Sequence, residues 1–205
     1  MIKFLQRMML GGVGVSMLIA CSAESVNDEG KILNATGTTS ATQELTMNDL
    51  VGRWNMYAMT SVPLEEGVEA TAVDFDQNGV FTYDLLEETD CFDPMYFDFT
   101  SNGEVATYQS RLFFSKVTGA FSCQTTGNYK ATYTINGDQL SVTFTIDGQT
   151  YTETKTISRY SENGSEFLKV TLTKAETNAA VYVAPDPGNT VASEIQKIEM
   201  VYIKQ

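Results

Sequence analysis

Residues Thr126–Leu172 read TGNYKATYTINGDQLSVTFTIDGQTYTETKTISRYSENGSEFLKVTL. Tyr129, Ala131, Tyr133 and Ile135 share one parity, with Lys130, Thr132 and Thr134 on the other. After Asn136-Gly137 the alternation resumes with Leu140, Val142, Phe144 and Ile146 against Ser141, Thr143 and Thr145. Successive side chains of a strand point to opposite faces, so a period of two marks strands with one buried and one wet face. Asn136-Gly137, Asp147-Gly148 and Asn163-Gly164 supply the positive φ angles that tight hairpin turns require. The run predicts four antiparallel strands in a meander.

The chain has 205 residues, 42% of them hydrophobic and 11% aromatic, enough for one domain with a proper core. It contains no histidine, which removes the commonest general base and the commonest transition-metal ligand together. Lys3 and Arg7 precede a run of small and aliphatic residues, Met8 to Ala20. A helical span needs about 20 apolar residues, so this shorter run reads as a targeting segment. It ends Leu18-Ile19-Ala20-Cys21, which resembles the lipobox of bacterial lipoproteins. The resemblance implies cleavage before Cys21, acylation of that cysteine and a membrane anchored through its acyl chains. An ordinary secretory signal with a chance cysteine is the alternative.

Removing Lys3 and Arg7 with residues 1–20 takes the net charge from −13 to −15. A body this acidic is repelled by nucleic acid and by anionic bilayers, so nucleic acid is excluded as a partner. Residues 22–46 are rich in Ser, Thr, Ala and Asn and lack aromatics, the composition of a flexible tether. Two cysteines remain, Cys91 and Cys123. In an exported chain an even pair reads as one disulfide, with two separate buried thiols as the other reading.

The folded domain is expected over 47–205. Thr46 or Asn48 caps a short helical turn, and Gly52 to Ser61 forms the first strand. Leu50-Val51-Gly52-Arg53-Trp54 resembles the Gly-x-Trp start of lipocalin and lipocalin-like domains. Cys91 ahead of Phe97-Asp98-Phe99-Thr100-Ser101-Asn102-Gly103, and Cys123 ahead of Gly127-Asn128-Tyr129, are similar to the lipocalin-like domains of Gram-negative envelope lipoproteins. The resemblance covers about residues 47–175. It implies an all-β fold, a single antiparallel up-and-down barrel of about 8–10 strands, with Gly52 and Trp54 at its closed floor. It also implies a cell-envelope protein, and Ser22 after the lipidated cysteine is the choice associated with the outer membrane.

Further strands are expected at Val68–Phe75 and Val80–Leu86, joined by a turn at Asp76-Gln77-Asn78-Gly79, and at Val105–Phe114. Residues 115–125 read as irregular, and 175–193 as a long loop over one mouth of the barrel. Ile195–Ile203 is a terminal strand closing the barrel against the first.

Asp74-Phe75-Asp76-Gln77-Asn78-Gly79 matches the first half of a calcium loop, but Leu85 stands where the bidentate Glu belongs, so a hairpin turn accounts for it better. Glu87, Glu88, Asp90 and Asp93 form an acidic run that reads as a solvated loop rather than a calcium site. No G-x-S-x-G elbow, catalytic histidine or phosphate-binding glycine loop is present. Neither an enzyme, a metal nor a cofactor is therefore expected. The inward parity covers Phe81, Tyr83, Phe97, Phe99, Tyr129, Tyr133 and Phe144, and of these Tyr83, Phe97, Phe99, Tyr129 and Tyr133 are nominated for a small apolar or amphipathic ligand. The alternative is a filled barrel whose outer surface or loops contact an envelope partner.

Overall fold

A computed structural model describes residues 44–115, 117–146, 148–182 and 194–205. Cys21, the targeting segment, nearly all of the tether and most of the 175–193 loop lie outside the described residues. Thr42–Gln205 form one compact unit.

The unit begins with a single helical turn, α1 (Met47–Leu50). The Thr46 backbone N–H and hydroxyl both donate to Asp49 Oδ2, at 2.8 and 2.6 Å, which fixes the entry of the chain. Strand β1 (Gly52–Ser61) follows, then β2 (Tyr96–Phe99), β3 (Glu104–Ser115), β4 (Ala120–Asn136), β5 (Gln139–Ile146), β6 (Gln149–Glu162) and β7 (Ser165–Leu172). Helix α2 (Lys174–Ala180), a two-residue strand β8 (Val181–Tyr182) and β9 (Ile198–Lys204) complete the described elements. β2 pairs with both β1 and β3, and β9 lies between β7 and β1. Eight antiparallel strands therefore close on themselves as a barrel, which removes the exposed edges an open sheet would present. β8 pairs in parallel with the upper part of β3, outside that ring.

The expected meander is present as β4 to β7, with positive φ at Gly137, Gly148, Asn163 and Gly164 in its turns. Three expectations are corrected. First, Val68–Phe75 and Val80–Leu86 do not form two strands; only isolated bridges occur, Val73 with Thr82 and Asp84 with Thr60. Carboxylates and an amide take the backbone N–H groups a ladder would use. Asp74 accepts from Asn78 and Gly79, Asn78 Oδ1 accepts from Val80, and Glu88 accepts from Phe75. Second, 120–125 is strand rather than irregular chain: Phe114 pairs with Phe121 and Leu112 with Cys123, so β4 extends back to the turn at 117–119. Third, the start of the expected 175–193 loop is helical. Thr173 donates to Glu176 from both its backbone N–H and its hydroxyl, each at 2.8 Å, so the Glu176 carboxylate reaches back over the start of α2.

The barrel is filled at the end where α1 sits. Trp54 is fully buried, and its indole N–H donates to the Leu50 carbonyl at 2.6 Å. Phe99, opposite Gly52 in the ladder, meets Tyr133 edge to face at 4.8 Å at the same end. Gly52 has φ of +116°, a conformation closed to other residues, and a Cβ there would meet Lys204 Cε at 3.2 Å. At the other end, residues 62–95 replace a regular strand alongside the upper half of β1. Met59 accepts from the Leu85 N–H at 2.8 Å, and the Ser61 N–H donates to Tyr83 at the same distance. This segment inserts Val73, Phe75, Leu85, Phe92 and Met95 into the core. Cys91 on it is bonded to Cys123 on β4, so the expected disulfide ties the strandless wall to the barrel.

Candidate functional site

Registers between neighbouring strands decide which side chains share the interior. Leu140 lies opposite Lys155, Val142 opposite Glu153 and Phe144 opposite Tyr151. Because Leu140 is buried in the core, that whole parity of β5 and β6 faces inward. The interior then divides into two zones.

Around the floor the nominated aromatics are packed. Phe99 and Tyr133 are each 2% exposed. The Tyr133 hydroxyl donates to the Thr100 carbonyl at 2.8 Å, and burial pushes its pKa up. Phe97 packs edge to face on Tyr202 at 5.1 Å. Tyr202 is itself fully buried, its hydroxyl 3.9 Å from Met200 Sδ, and burial raises its pKa strongly. These residues hold the fold together and leave little room beside them.

Higher up, the inner wall of β4, β5 and β6 opens to solvent. Tyr129 and Phe144 meet at 6.0 Å between ring centroids, and Phe144 stacks with Tyr151 at 5.8 Å. Tyr151 is 44% exposed despite its inward parity. Burial, and then the nearby charge of Glu153, raise the pKa of Tyr129. A row of three aromatic rings thus runs from the interior to the surface. Its polar margin is Glu153 and Lys155, and Lys155 forms an ion pair with Glu176 of α2. Chemically this is an apolar strip beside a fixed positive and two negative groups, suited to an amphipathic molecule.

Phe81 and Tyr83, both expected on the inner wall, do not join this row. They lie on the strandless segment, 50% and 48% exposed, because the hairpin that would have turned them inward is replaced by carboxylate-bonded chain. Phe144 and Tyr151 complete the row instead. Phe144 was legible from its parity; Tyr151 sits in the threonine-rich QTYTETKT stretch, where no apolar neighbours mark the inward face.

The structure also unites two acidic stretches that are separate in sequence. Ligand oxygens of Asp74, Asp76 and Glu88 all lie within 4.8 Å of one another, with Asp74 fully buried and Glu88 8% exposed. Leu85, the misfit of the calcium pattern, is buried in the core, and Glu88 comes to the aspartates in its place. Each carboxylate accepts from backbone N–H groups of the same segment. Burial raises the Glu88 pKa; its bonds from Asp76 and Phe75 oppose this, while the Asp76 and Asp74 charges add to it. The group's evident work is to hold a strandless loop in shape.

Two surface hollows lie apart from the aromatic row. One of about 480 Å³ is bordered by Leu45, Asp138, Ile157 and Lys169, and one of about 370 Å³ by Phe75, Glu88, Leu112 and Phe121. The first lies at the floor end and the second beside the carboxylate group, so the larger hollow is not where the interior opens.

A closed eight-stranded barrel, a buried tryptophan at a Gly-x-Trp start and an interior open on one side are the frame of one family. The family model described as lipocalin-like domain matches residues 50–167. The chain belongs to the lipocalin-like domain family. No curated protein matches it, and no solved structure does. The family match runs from Leu50 to Phe167, from the end of α1 into β7, and takes in the strandless segment, both bridged cysteines and the aromatic row. β9, which closes the lipocalin-like barrel, lies beyond the match.

Proposed function

We propose that this protein is a lipid-anchored component of the bacterial cell envelope, held in the outer membrane through acyl chains on Cys21, and that its barrel binds a small amphipathic ligand. The observation that supports binding is the row Tyr129–Phe144–Tyr151, which exposes aromatic surface on the inner wall of a barrel otherwise filled with side chains. A ligand's apolar body lies along the rings, and its polar end meets Lys155 and Glu153 at the margin. The anchor rests on the order Lys3, Arg7, the apolar run and Leu18-Ile19-Ala20-Cys21. Two or more acyl chains anchor stably where one is marginal.

Titration with dansyl-undecanoic acid tests the binding half. Saturable emission enhancement is expected, with affinity weakened about tenfold, or 1.4 kcal/mol, in Phe144→Ser and Tyr151→Ser. No enhancement, or equal affinity in the variants, would remove the ligand reading. The anchor is tested by Cys21→Ala, which should release the protein from the membrane fraction; continued membrane association would count against lipidation.

A further inference from the structure

Residues 62–95 have a composition unlike the rest of the chain. They hold ten Asp and Glu, and neither Lys nor Arg occurs anywhere between Arg53 and Arg111. Glu65, Glu66, Glu69, Asp76, Glu87, Asp90 and Asp93 are exposed. The same segment carries Leu64, Val68, Val80, Phe81 and Tyr83 at 54%, 53%, 64%, 50% and 48% exposure. These are five of the nine large apolar side chains exposed among the described residues. The segment buries Val73, Phe75, Leu85, Phe92 and Met95 nearby, so it has access to the core and still leaves these five in water.

Backbone contacts bring several of them together. The Ser61 N–H donates to the Tyr83 carbonyl, which sets Tyr83 beside the end of β1, three residues before Leu64. Phe81 lies two residues from Tyr83, next to the Val73–Thr82 bridge. The disulfide at Cys91, the bonds to Asp74 and Glu88 and the backbone bonds of Tyr83 and Leu85 to β1 tie the 73–91 part of the segment down, so less ordering cost attaches to using Phe81 and Tyr83.

We infer that this face is a docking surface for a cationic polypeptide segment carrying apolar side chains. The charge decides the class of occupant. Phe81 and Tyr83, two residues apart and set beside the end of β1 close to Leu64, form an apolar group of the kind that marks an interaction site, and the acids around it repel nucleic acid, anionic bilayers and other acidic chains. Lys or Arg flanking apolar residues on the partner satisfies both features at once, with the acids steering approach and Phe81 and Tyr83 acting as anchors. The inference stands on residues outside the aromatic row and does not depend on ligand binding there.

The test uses three labelled peptides of equal length: alternating Lys and Leu, Lys and Ser, and Gln and Leu. Binding to the purified protein is followed by fluorescence polarisation. The Lys/Leu peptide is expected to bind at least about tenfold tighter than either control. That advantage should fall about tenfold in Phe81→Ser/Tyr83→Ser and in Glu65→Gln/Glu66→Gln/Glu69→Gln, and on raising salt from about 50 to about 500 mM. All five positions are exposed, so the variants should keep the wild-type unfolding midpoint. Lys/Ser binding as tightly would reduce the effect to charge alone, and Gln/Leu doing so would reduce it to apolarity alone. Either result, absence of binding, or variants that bind like wild type overturns the inference. Self-association lost in Phe81→Ser/Tyr83→Ser would assign the face to a second copy, and binding to zwitterionic vesicles would assign it to a membrane; both also overturn it.

Discussion

Removing the Cys91–Cys123 bridge should cost this protein a large part of its stability, and the structure indicates where the loss begins. The bridge joins residues 32 apart in sequence, and closing a loop of that length lowers the entropy of the unfolded chain by an amount worth about 3–4 kcal/mol. The loop it closes holds β2 and β3, and the strandless segment joins that loop at Cys91. Between Cys91 and the end of β1 the chain has only two isolated bridges, so few ladder bonds hold that segment if the crosslink goes. Cys123 is exposed on β4, so a reductant in solution reaches the bond. The single tryptophan, Trp54, lies at the floor, away from the bridge, and reports global unfolding without direct interference. In urea titrations followed by tryptophan emission, reduction or Cys91→Ala/Cys123→Ala should lower the midpoint by about 1.5 M, taking a slope near 2 kcal/mol per M for a domain of this size. Limited proteolysis of the altered protein should cut first within 62–95, before tryptophan emission changes. A midpoint shift equivalent to under about 1 kcal/mol, or first cleavage in the β4–β7 meander, would refute the view that the bridge holds the strandless wall in place.

Other consequences follow from the packing and charges. Trp54→Ala should destabilise by about 3–5 kcal/mol, read from the urea midpoint by circular dichroism, since it empties the floor and orphans the Leu50 carbonyl. Glu88 has its folded pKa raised above an ordinary value of 4.5, so its protonation favours the fold: the stabilisation is complete below 4.5 and is lost as pH rises through the folded pKa. Wild type minus Glu88→Gln stability should therefore decline with rising pH above 4.5, and a difference that grows instead would contradict the burial and like-charge argument. Asp49 runs the other way: hydrogen bonds from Thr46 hold its pKa below 3.8, so its contribution is present above 3.8 and disappears as pH falls through the folded value. Asp49→Asn should narrow the loss of stability on acidification, measured by the same titrations. Thr173→Ala should cost about 1 kcal/mol by removing the hydroxyl that helps hold Glu176 over the start of α2, seen as a lowered thermal midpoint.

The parts of the fold that were readable in the sequence are those where neighbouring residues carry the decision. Alternation at Tyr129 to Ile135 and Leu140 to Phe144 reports a local fact, the side a residue faces, and the Asn-Gly and Asp-Gly turns report another. Gly52 to Ser61 was readable for the same reason. Residues 120–125 were not, because Ser122, Gln124 and Thr125 carry no apolar alternation. Their strand is imposed from across the ladder by Leu112 and Phe114 and by the bond at Cys123. The T-x-x-E pattern at Thr173 is legible in the sequence, although Pro185 and Pro187 further on read as loop.

Residues 62–95 show a deeper limit. Val80, Phe81, Thr82 and Tyr83 have strand propensity, and propensity alone would pair them. The outcome depends on where Asp74 and Glu88 send their oxygens, and Glu88 reaches Phe75 across thirteen positions. A carboxylate that accepts a backbone N–H substitutes for a ladder partner without requiring a neighbouring strand, so the chain follows its acids rather than its apolar pattern. That substitution moves Tyr83 from the expected inner wall to the surface. It also makes the upper end of the barrel chemically unlike the floor, where Trp54 and Tyr133 donate to the Leu50 and Thr100 carbonyls and Phe99 packs on Tyr133. The candidate site inherits this asymmetry: its aromatic row lies where regular strands persist without a filled interior, on β4 to β6, and not on the side closed by carboxylates and a disulfide.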